Sequence, residues 1–562
     1  MSSDAANGAD WLCAALAEQG VEVLFGNPGS TELPLTGAIG RAGDPRYVLG
    51  LHEATVLGMA DGYAQATGRL AAVNVHVQPG LANAMSGILN AARARVPLLV
   101  TVGQQVQGLL PGAPFLGGEL VEMARPLVKG AWEVATADAL PATLALAIGT
   151  ALRPPRGPVM VSLPLDVQVA PGPSPFTRVD SPPVPLPDPG AVAAAAQLLA
   201  GAASPVVVAG DEVARSGASA SVAALAERLG APLFGEPFGA TVPVATDHPH
   251  WRGPLPSFAT EIRRALEGYD LVVAIGMPVF RLFGDSPGQA LPEGCRLVHL
   301  EVDPDEVGRV HTPAVGIVGD LPAAAFGLLD RLGPAGELDR GRAARTVRAA
   351  AAARAAARAR VIAAAPSAGT GISPEAFALA IADAVGPGDL VVDEALTAGR
   401  SLRHVISRRT AQTWLAHRGS ALGWGLPAAV GAAIADPRRR VMALQGDGSL
   451  LFGIHALWTA AHERAPVALV VADNGGYEIL RAGMEGLTGR PGGAWPGLAI
   501  TDPSLDIPAL CRGFGASAER VTTRDDLPDA LRDLWKRADG GPAALVVRVG
   551  GPTAPVGYPL TP

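Results

Sequence analysis

The stretch Gly446-Asp447-Gly448-Ser449 sets a carboxylate between two glycines, after the apolar run VMALQ and ahead of a helical-looking segment. One glycine suffices for a strand-to-helix turn. Two glycines around a carboxylate let a large anion come close to the backbone with a cation between. For this stretch alone the alternative is an ordinary turn with Asp447 as a helix N-cap. Asn474 follows 27 positions later, at the end of VALVVAD and just before Gly475-Gly476-Tyr477. One helix plus one strand fills that gap, so both side chains are expected at the carboxyl ends of neighbouring parallel strands. A carboxylate, an amide oxygen and the Gly476 carbonyl are hard oxygen ligands suited to Mg²⁺ or Ca²⁺, with a diphosphate in the remaining positions. Gly446, Gly448 and Ser449 would bring backbone amides to the same phosphates.

Such a site needs strands to carry it, and the chain offers them in three sets. VEVLFG, AAVNVH, PLLVTVG and PVMVSLP come first; PVVVAGD, LVVAIGM and RLVHLEV follow; LVVDEA, RVMALQGD, VALVVADN and AALVVRV come last. Alanine-rich, helix-like stretches separate them, which predicts an α/β chain of three doubly wound parallel sheets with ligands at the strands' carboxyl ends. The proline-rich segment 170–190 reads as an extended linker, and the arginine/alanine run RAARTVRAAAAARAAARARVIAAAP as an exposed helix joining two domains. The expected domains are 1–170, 188–335 and 370–550.

Composition bounds the function. The 562 residues are 49% apolar and 17% charged, and 44 basic against 52 acidic residues give a net charge of −8; this is a multidomain globular chain. The only lysines are Lys129 and Lys536, and no basic stripe alternates with aromatics, so neither nucleic acid nor a membrane is an expected partner. Cys13, Cys295 and Cys511 have no metal-ligand spacing and suit a reducing compartment. The polar start MSSDAANGAD does not resemble a signal peptide, and the expected location is the cytoplasm.

GDGS…DNGG resembles the GDG…N signature of thiamine diphosphate enzymes, with Asp473-Asn474 where many relatives have Asn-Asn. The segment YVLGLHEATVLGMADGYAQATGR resembles that family's glutamate segment. The resemblance implies that Glu53 hydrogen-bonds the cofactor's aminopyrimidine ring and drives the tautomerisation that frees the C2 proton. For an isolated glutamate at a helix start the alternative is a capping or dipole role. The metal would rest on Asp447, Asn474 and Gly476. The cofactor would contact Asn27, Pro28, Gly29, Glu53, Thr397, Ser420, Leu422, Gly446, Gly448, Ser449, Tyr477, Glu478 and Ile479. Within this set Leu422 would be the apolar wedge between the rings, and the Ser420 carbonyl would hold the amino group. Family members build the site between subunits, so a homodimer or homotetramer is implied.

Over almost the whole chain the resemblance is to the benzoylformate decarboxylase branch, through FGNPGSTELPL, MSGILNAARARVPLLVTVGQQ, RPLVKGAW, ALWTAA and the CRGFGA region. It implies that Ser30 binds the carboxylate of a 2-oxo acid and that His76 transfers a proton at the carbonyl oxygen. Phe115 and Leu116 would line the substrate pocket. Taken singly, Ser30 would read as a turn serine and His76 as a satisfied core histidine. Two departures bear on the reaction. Phe283 in GMPVFRLFGDSPGQ stands where that branch has a second histidine, which protonates the carbon left by CO₂ loss. Ile479 stands where it has an alanine, which narrows the pocket against a flat ring. The pocket of Phe115, Leu116, Phe283 and Ile479 suggests an apolar side chain, aromatic or branched aliphatic. The rivals are a carboligase of the acetolactate synthase type and a non-catalytic binder of nucleotide or thiamine diphosphate. Glu53 argues against the binder. No strand is followed by G-x-G-x-x-G with a later acidic residue, which argues against a nicotinamide dehydrogenase.

Overall fold

The strand runs form three six-stranded sheets in which every neighbouring pair is parallel. The protein is described by a computed structural model covering residues 6–365, 371–408, 410, 413–490 and 492–550. In the first sheet the order is Arg46–Leu49, Val23–Asn27, Ala71–Val75, Leu98–Gln104, Val159–Pro164, Ala131–Glu133. In the second it is Val315–Val318, Arg296–Glu301, Leu271–Ile275, Pro205–Ala209, Leu233–Gly235, Trp251–Pro254. In the third it is Trp414–Ala416, Leu390–Glu394, Val441–Gly446, Val467–Asp473, Ala543–Arg548, Ser517–Val521. Each chain path starts near the middle of its sheet and crosses to both sides, the doubly wound arrangement that places ligand crevices at the carboxyl ends of the central strands.

The central strands are apolar on both faces because helices cover both: Val441–Gly446 and Val467–Asp473 are buried almost throughout. The first and third sheets share one continuous apolar core, from Val23 and Phe25 to Val467 and Val546. It is closed by the helix Glu53–Thr67 lying on Gly425–Ala435. Gly62 meets the backbone of Ala428, and Gly431 meets that of Met59, so closely that a Cβ at either position would overlap the facing helix. Trp424 Nε1 donates to Asp61 across this contact at 2.9 Å. The second sheet is tied in by two arginines. Arg95 reaches Glu301 at 2.9 Å and Asp303 at 3.2 Å. Arg418 pairs with both Asp211 and Glu236.

Two expectations shift at their edges. Residues 172–188 carry no helix or strand, but Pro189 and Gly190 already belong to the helix Pro189–Ala200, capped by Asp188, whose side chain accepts from Ala191 N–H at 2.7 Å. Proline is compatible with a first helical turn. The arginine/alanine helix begins earlier than its composition suggests, at Glu337, and runs to Ala364. It is not wholly a solvated spacer: Arg342 donates to the carbonyl of Leu229 at 2.6 Å and Arg354 to that of Trp251 at 2.7 Å. Pro366, the last residue of the run, lies outside the described residues. No helix among the described residues is long and apolar enough to cross a membrane.

Candidate active site

Asp447 opens the helix Asp447–Gly453 at the carboxyl end of Val441–Gly446, and Asn474 follows the adjacent strand Val467–Asp473. The two residues stand together as their spacing requires. Asp447 is not the N-cap; Gly446 is, and Ser449 Oγ accepts its N–H at 3.1 Å. The Asp447 carboxylate reaches across to the neighbouring loop instead, where Oδ2 accepts from Gly475 N–H at 2.7 Å and Gly476 N–H at 3.0 Å. Asn474 completes the corner. Its side-chain oxygen lies 2.8 Å from the Gly476 carbonyl oxygen and 3.3 Å from Asp447 Oδ1, three oxygens that converge with no proton between them unless the amide turns to present Nδ2. The loop can do this because Gly475 (φ +79°) and Gly476 (φ +157°) take backbone conformations that side chains disfavour.

Asp447 is 2% exposed, and among the described residues no cation pairs with it; its neighbour Asp473 takes Arg520 and Arg548. Burial pushes the Asp447 carboxyl above its ordinary range, only partly offset by the N–H groups of Gly448, Gly475 and Gly476. A buried carboxylate without a counter-charge, beside an amide oxygen and the Gly476 carbonyl, whose second lone pair is open beside its bond from Glu478 N–H at 3.0 Å, fits a hard divalent cation. No cluster of three or more His, Cys, Asp or Glu side chains suited to a metal occurs among the described residues, so this corner depends on the neutral oxygens.

Sequence reasoning missed Glu394. It ends the strand Leu390–Glu394, is wholly buried, and accepts from the N–H groups of Gly423 (2.9 Å), Trp424 (3.3 Å) and Gly425 (2.9 Å). It thus caps the helix Gly425–Ala435 from a neighbouring element and fixes the end of the loop that carries Ser420 and Leu422. Burial pushes its carboxyl up to about 8 despite those three donors. A carboxyl raised from an ordinary value of 4.5 favours the native state most at low pH, and that contribution is lost as pH rises through about 8. Glu394→Gln should therefore gain stability relative to the parent between pH 5 and about 9. Urea midpoints at both ends of that range check this; a parent-to-variant difference independent of pH would contradict it.

In the first sheet, Glu53 opens the helix Glu53–Thr67 and accepts from Asn83 Nδ2 at 3.0 Å. His76 follows the strand Ala71–Val75 and is fixed by a residue the sequence did not single out. Glu32, 1% exposed, accepts from His76 Nδ1 at 2.7 Å, from Gly29 N–H at 2.9 Å and from the Thr31 hydroxyl at 2.7 Å. A carboxylate only accepts, so Nδ1 carries the proton and Nε2 is left for chemistry. Val77, directly after His76, is held at φ +34°, a strained conformation for a β-branched residue. Gly29 lies so tightly against the imidazole that a Cβ would overlap it, which brings the turn bearing Ser30 to His76. Asn27 donates to the Gly50 carbonyl at 2.7 Å, and Pro28 and Ser30 are exposed.

The remaining sequence-selected residues are more dispersed. Tyr477 packs its ring on Gly448, and Glu478 pairs with Arg481 at 2.9 Å. Ile479 is half-buried on the helix Glu478–Thr488, Leu422 is half-buried, and Thr397 lies in the turn after Leu390–Glu394. Phe115 is 99% exposed and Leu116 half-buried. Phe283 stacks edge-on against Phe258 at 5.8 Å and tilts against Phe238 at 6.1 Å.

Three family profiles match the chain. They are the thiamine pyrophosphate enzyme N-terminal TPP binding domain over residues 6–116, the central domain over 192–328 and the C-terminal TPP binding domain over 397–547. Benzoylformate decarboxylase of Pseudomonas aeruginosa is 36% identical over 524 residues, 92% of this chain and 94% of that protein. The acetolactate synthase isozyme 2 large subunit of Escherichia coli is 27% identical over 95% of this chain and 94% of its own. Among solved structures, the thiamine diphosphate-dependent 4-hydroxybenzoylformate decarboxylase of Rhodococcus jostii superposes with a TM-score of 0.84 at 32% identity, covering 97% of this chain and 99% of that one. The chain therefore belongs to the thiamine pyrophosphate enzymes, and within them it is related to both benzoylformate decarboxylase and the acetolactate synthases.

Proposed function

We propose that this protein catalyses the thiamine diphosphate- and Mg²⁺-dependent, non-oxidative decarboxylation of a 2-oxo acid with an apolar side chain, giving CO₂ and an aldehyde. The observation that carries the substrate class is the Ser30 turn packed against His76, whose tautomer Glu32 fixes. When bound, the cofactor supplies the nucleophilic carbon and the electron sink for the pair left as CO₂ departs. Asp447, Asn474 and the Gly476 carbonyl would hold its metal, and Glu53 would serve its aminopyrimidine ring. Ser30 Oγ donates to the substrate carboxylate and orients it. His76 Nε2 holds and returns a proton at the carbonyl oxygen. The large exposed side chains of Phe115 (99%), Leu109 (53%) and Phe452 (53%) support a site completed by a second copy of the chain, in a cytoplasmic homodimer or homotetramer. Domain limits at 1–170, 188–335 and 370–550 belong to the same proposal.

One observation favours carboligation as the second outcome. Phe283 is walled by Phe238 and Phe258, so that position offers no proton to the reacting carbon, which stays available to attack an added aldehyde. The test is a panel of 2-oxo acids, each with and without aldehyde, with CO₂ counted and products identified by mass. No CO₂ from any member would contradict the proposal. Phe283→His should shift the products from 2-hydroxy ketone toward free aldehyde, provided the imidazole comes within about 3 Å of the reacting carbon or one water away. An unchanged product ratio in a folded, active variant would remove position 283 as the control point.

A further inference from the structure

The loop from Arg418 to Gly425 is held from three sides. Arg418 anchors one end on Asp211 and Glu236 of the second sheet, and Glu394 takes the N–H groups at the other. Between them the backbone departs from common conformations: Ser420 lies at φ +61° and Gly423 at φ +86°. Glycine tolerates this, but a serine persists there only when its surroundings dictate it.

Midway between these anchors the loop rests on one side chain. Asn90, on the helix Val77–Arg93 and 2% exposed, makes both hydrogen bonds to Ala421. Its Oδ1 accepts Ala421 N–H at 3.2 Å, and its Nδ2 donates to the Ala421 carbonyl at 2.9 Å. Gly419 lies flat on Asn90, with no room for a Cβ. The Ser420–Ala421 peptide is trans, so its N–H and C=O point in opposite directions across one plane. Fixing Ala421 N–H on Asn90 therefore turns the Ser420 carbonyl away from Asn90, and Ser420 itself is exposed.

We infer that Asn90 is a positioning residue that aims the Ser420 carbonyl at the amino group of the cofactor. The inference rests on the proposed cofactor site, in which that carbonyl accepts from the exocyclic nitrogen while Glu53 serves the ring. Asn90 touches neither cofactor nor substrate and acts only through the peptide plane it clamps.

The test uses the full chain with Asn90→Leu, Asn90→Asp and Gly419→Ala, each saturated with thiamine diphosphate and Mg²⁺. Asn90→Leu removes both hydrogen bonds. Asn90→Asp keeps the acceptor that aims the peptide but sets an oxygen against the Ala421 carbonyl. A purely structural role predicts that Asp is at least as damaging as Leu; aiming predicts that Asp rescues. Exchange of the bound cofactor's C2 proton into deuterium is the primary readout, with kcat, KM and thermal midpoint beside it. Asn90→Leu should slow exchange and kcat by about tenfold or more with substrate KM unchanged, and Asn90→Asp should stay within about threefold of the parent. Gly419→Ala, which pushes a methyl onto Asn90, should act in the direction of Asn90→Leu and stands in for it if that variant does not fold. Parental exchange in both, or Asp as slow as Leu, overturns the inference. Glu53→Gln is the control: if it too exchanges at the parental rate, the cofactor reading itself has failed, a result distinct from failure of the Asn90 variants alone.

Discussion

Glu53→Gln is expected to fold, to bind thiamine diphosphate and Mg²⁺ with nearly parental affinity, and to turn over about 10²–10⁴-fold more slowly. The glutamate opens the helix Glu53–Thr67 and is half-exposed, with Asn83 Nδ2 on one oxygen at 3.0 Å and Gly80 leaving space beside the other. It is therefore presented to a ligand rather than used up in the core. An amide keeps its shape and its bond to Asn83 in one orientation, but it cannot give and take a proton with a ring nitrogen. Binding and turnover should separate, which a capping or dipole role at the helix start does not predict. Isothermal calorimetry for affinity and initial rates of CO₂ release decide it; a variant that loses cofactor affinity and rate in parallel points to a structural role instead.

Asp447→Ala should lose the cofactor itself. Removing the carboxylate takes away the only formal charge among the three proposed metal ligands, leaves Gly475 N–H without its acceptor, and leaves Gly476 N–H with only the longer bond to Asn474 Oδ1 at 3.3 Å. Affinity for the metal–diphosphate pair should fall by at least about 100-fold. Because those N–H groups are buried, Asp447→Asn is the milder companion: its Oδ1 can still accept from the loop, so folding is retained while the charge is gone. The asparagine variant should require much higher Mg²⁺ for the same activity. Unchanged diphosphate binding in the alanine variant would sink the assignment.

The strands legible in the sequence are those buried on both faces, such as LVVAI at Leu271–Ile275 and VALVVAD at Val467–Asp473. The unrecognised ones lie mainly at sheet edges, where one side meets solvent and the apolar run breaks. Ser517–Val521 (SAERV) is mostly exposed, and Val315–Val318 (VGIV) is only partly buried. At the site, Asp447, Asn474 and Glu53 could be read because their chemistry depends on local turns and a fixed spacing. Glu32 and Glu394 could not. Each works through a partner distant in the chain, Glu32 on His76 and Glu394 on the loop at 423–425, and such pairing leaves no periodic or local signal. Glu32 did carry one hint: a carboxylate three residues after Gly29, in the apolar company of Leu33 and Leu35, has to find donors. Asn90 was hidden for the same reason, since its partner is 331 positions away.

The most direct measurement strips the purified protein with chelator, then follows CO₂ release from an aryl or branched aliphatic 2-oxo acid as thiamine diphosphate and Mg²⁺ are returned singly and together. CO₂ release only when both are present, abolished in Asp447→Ala and largely lost in Glu53→Gln, is the predicted result. CO₂ release without the diphosphate, or none with both present across the full panel of acids, would contradict the assignment of this site to 2-oxo acid decarboxylation.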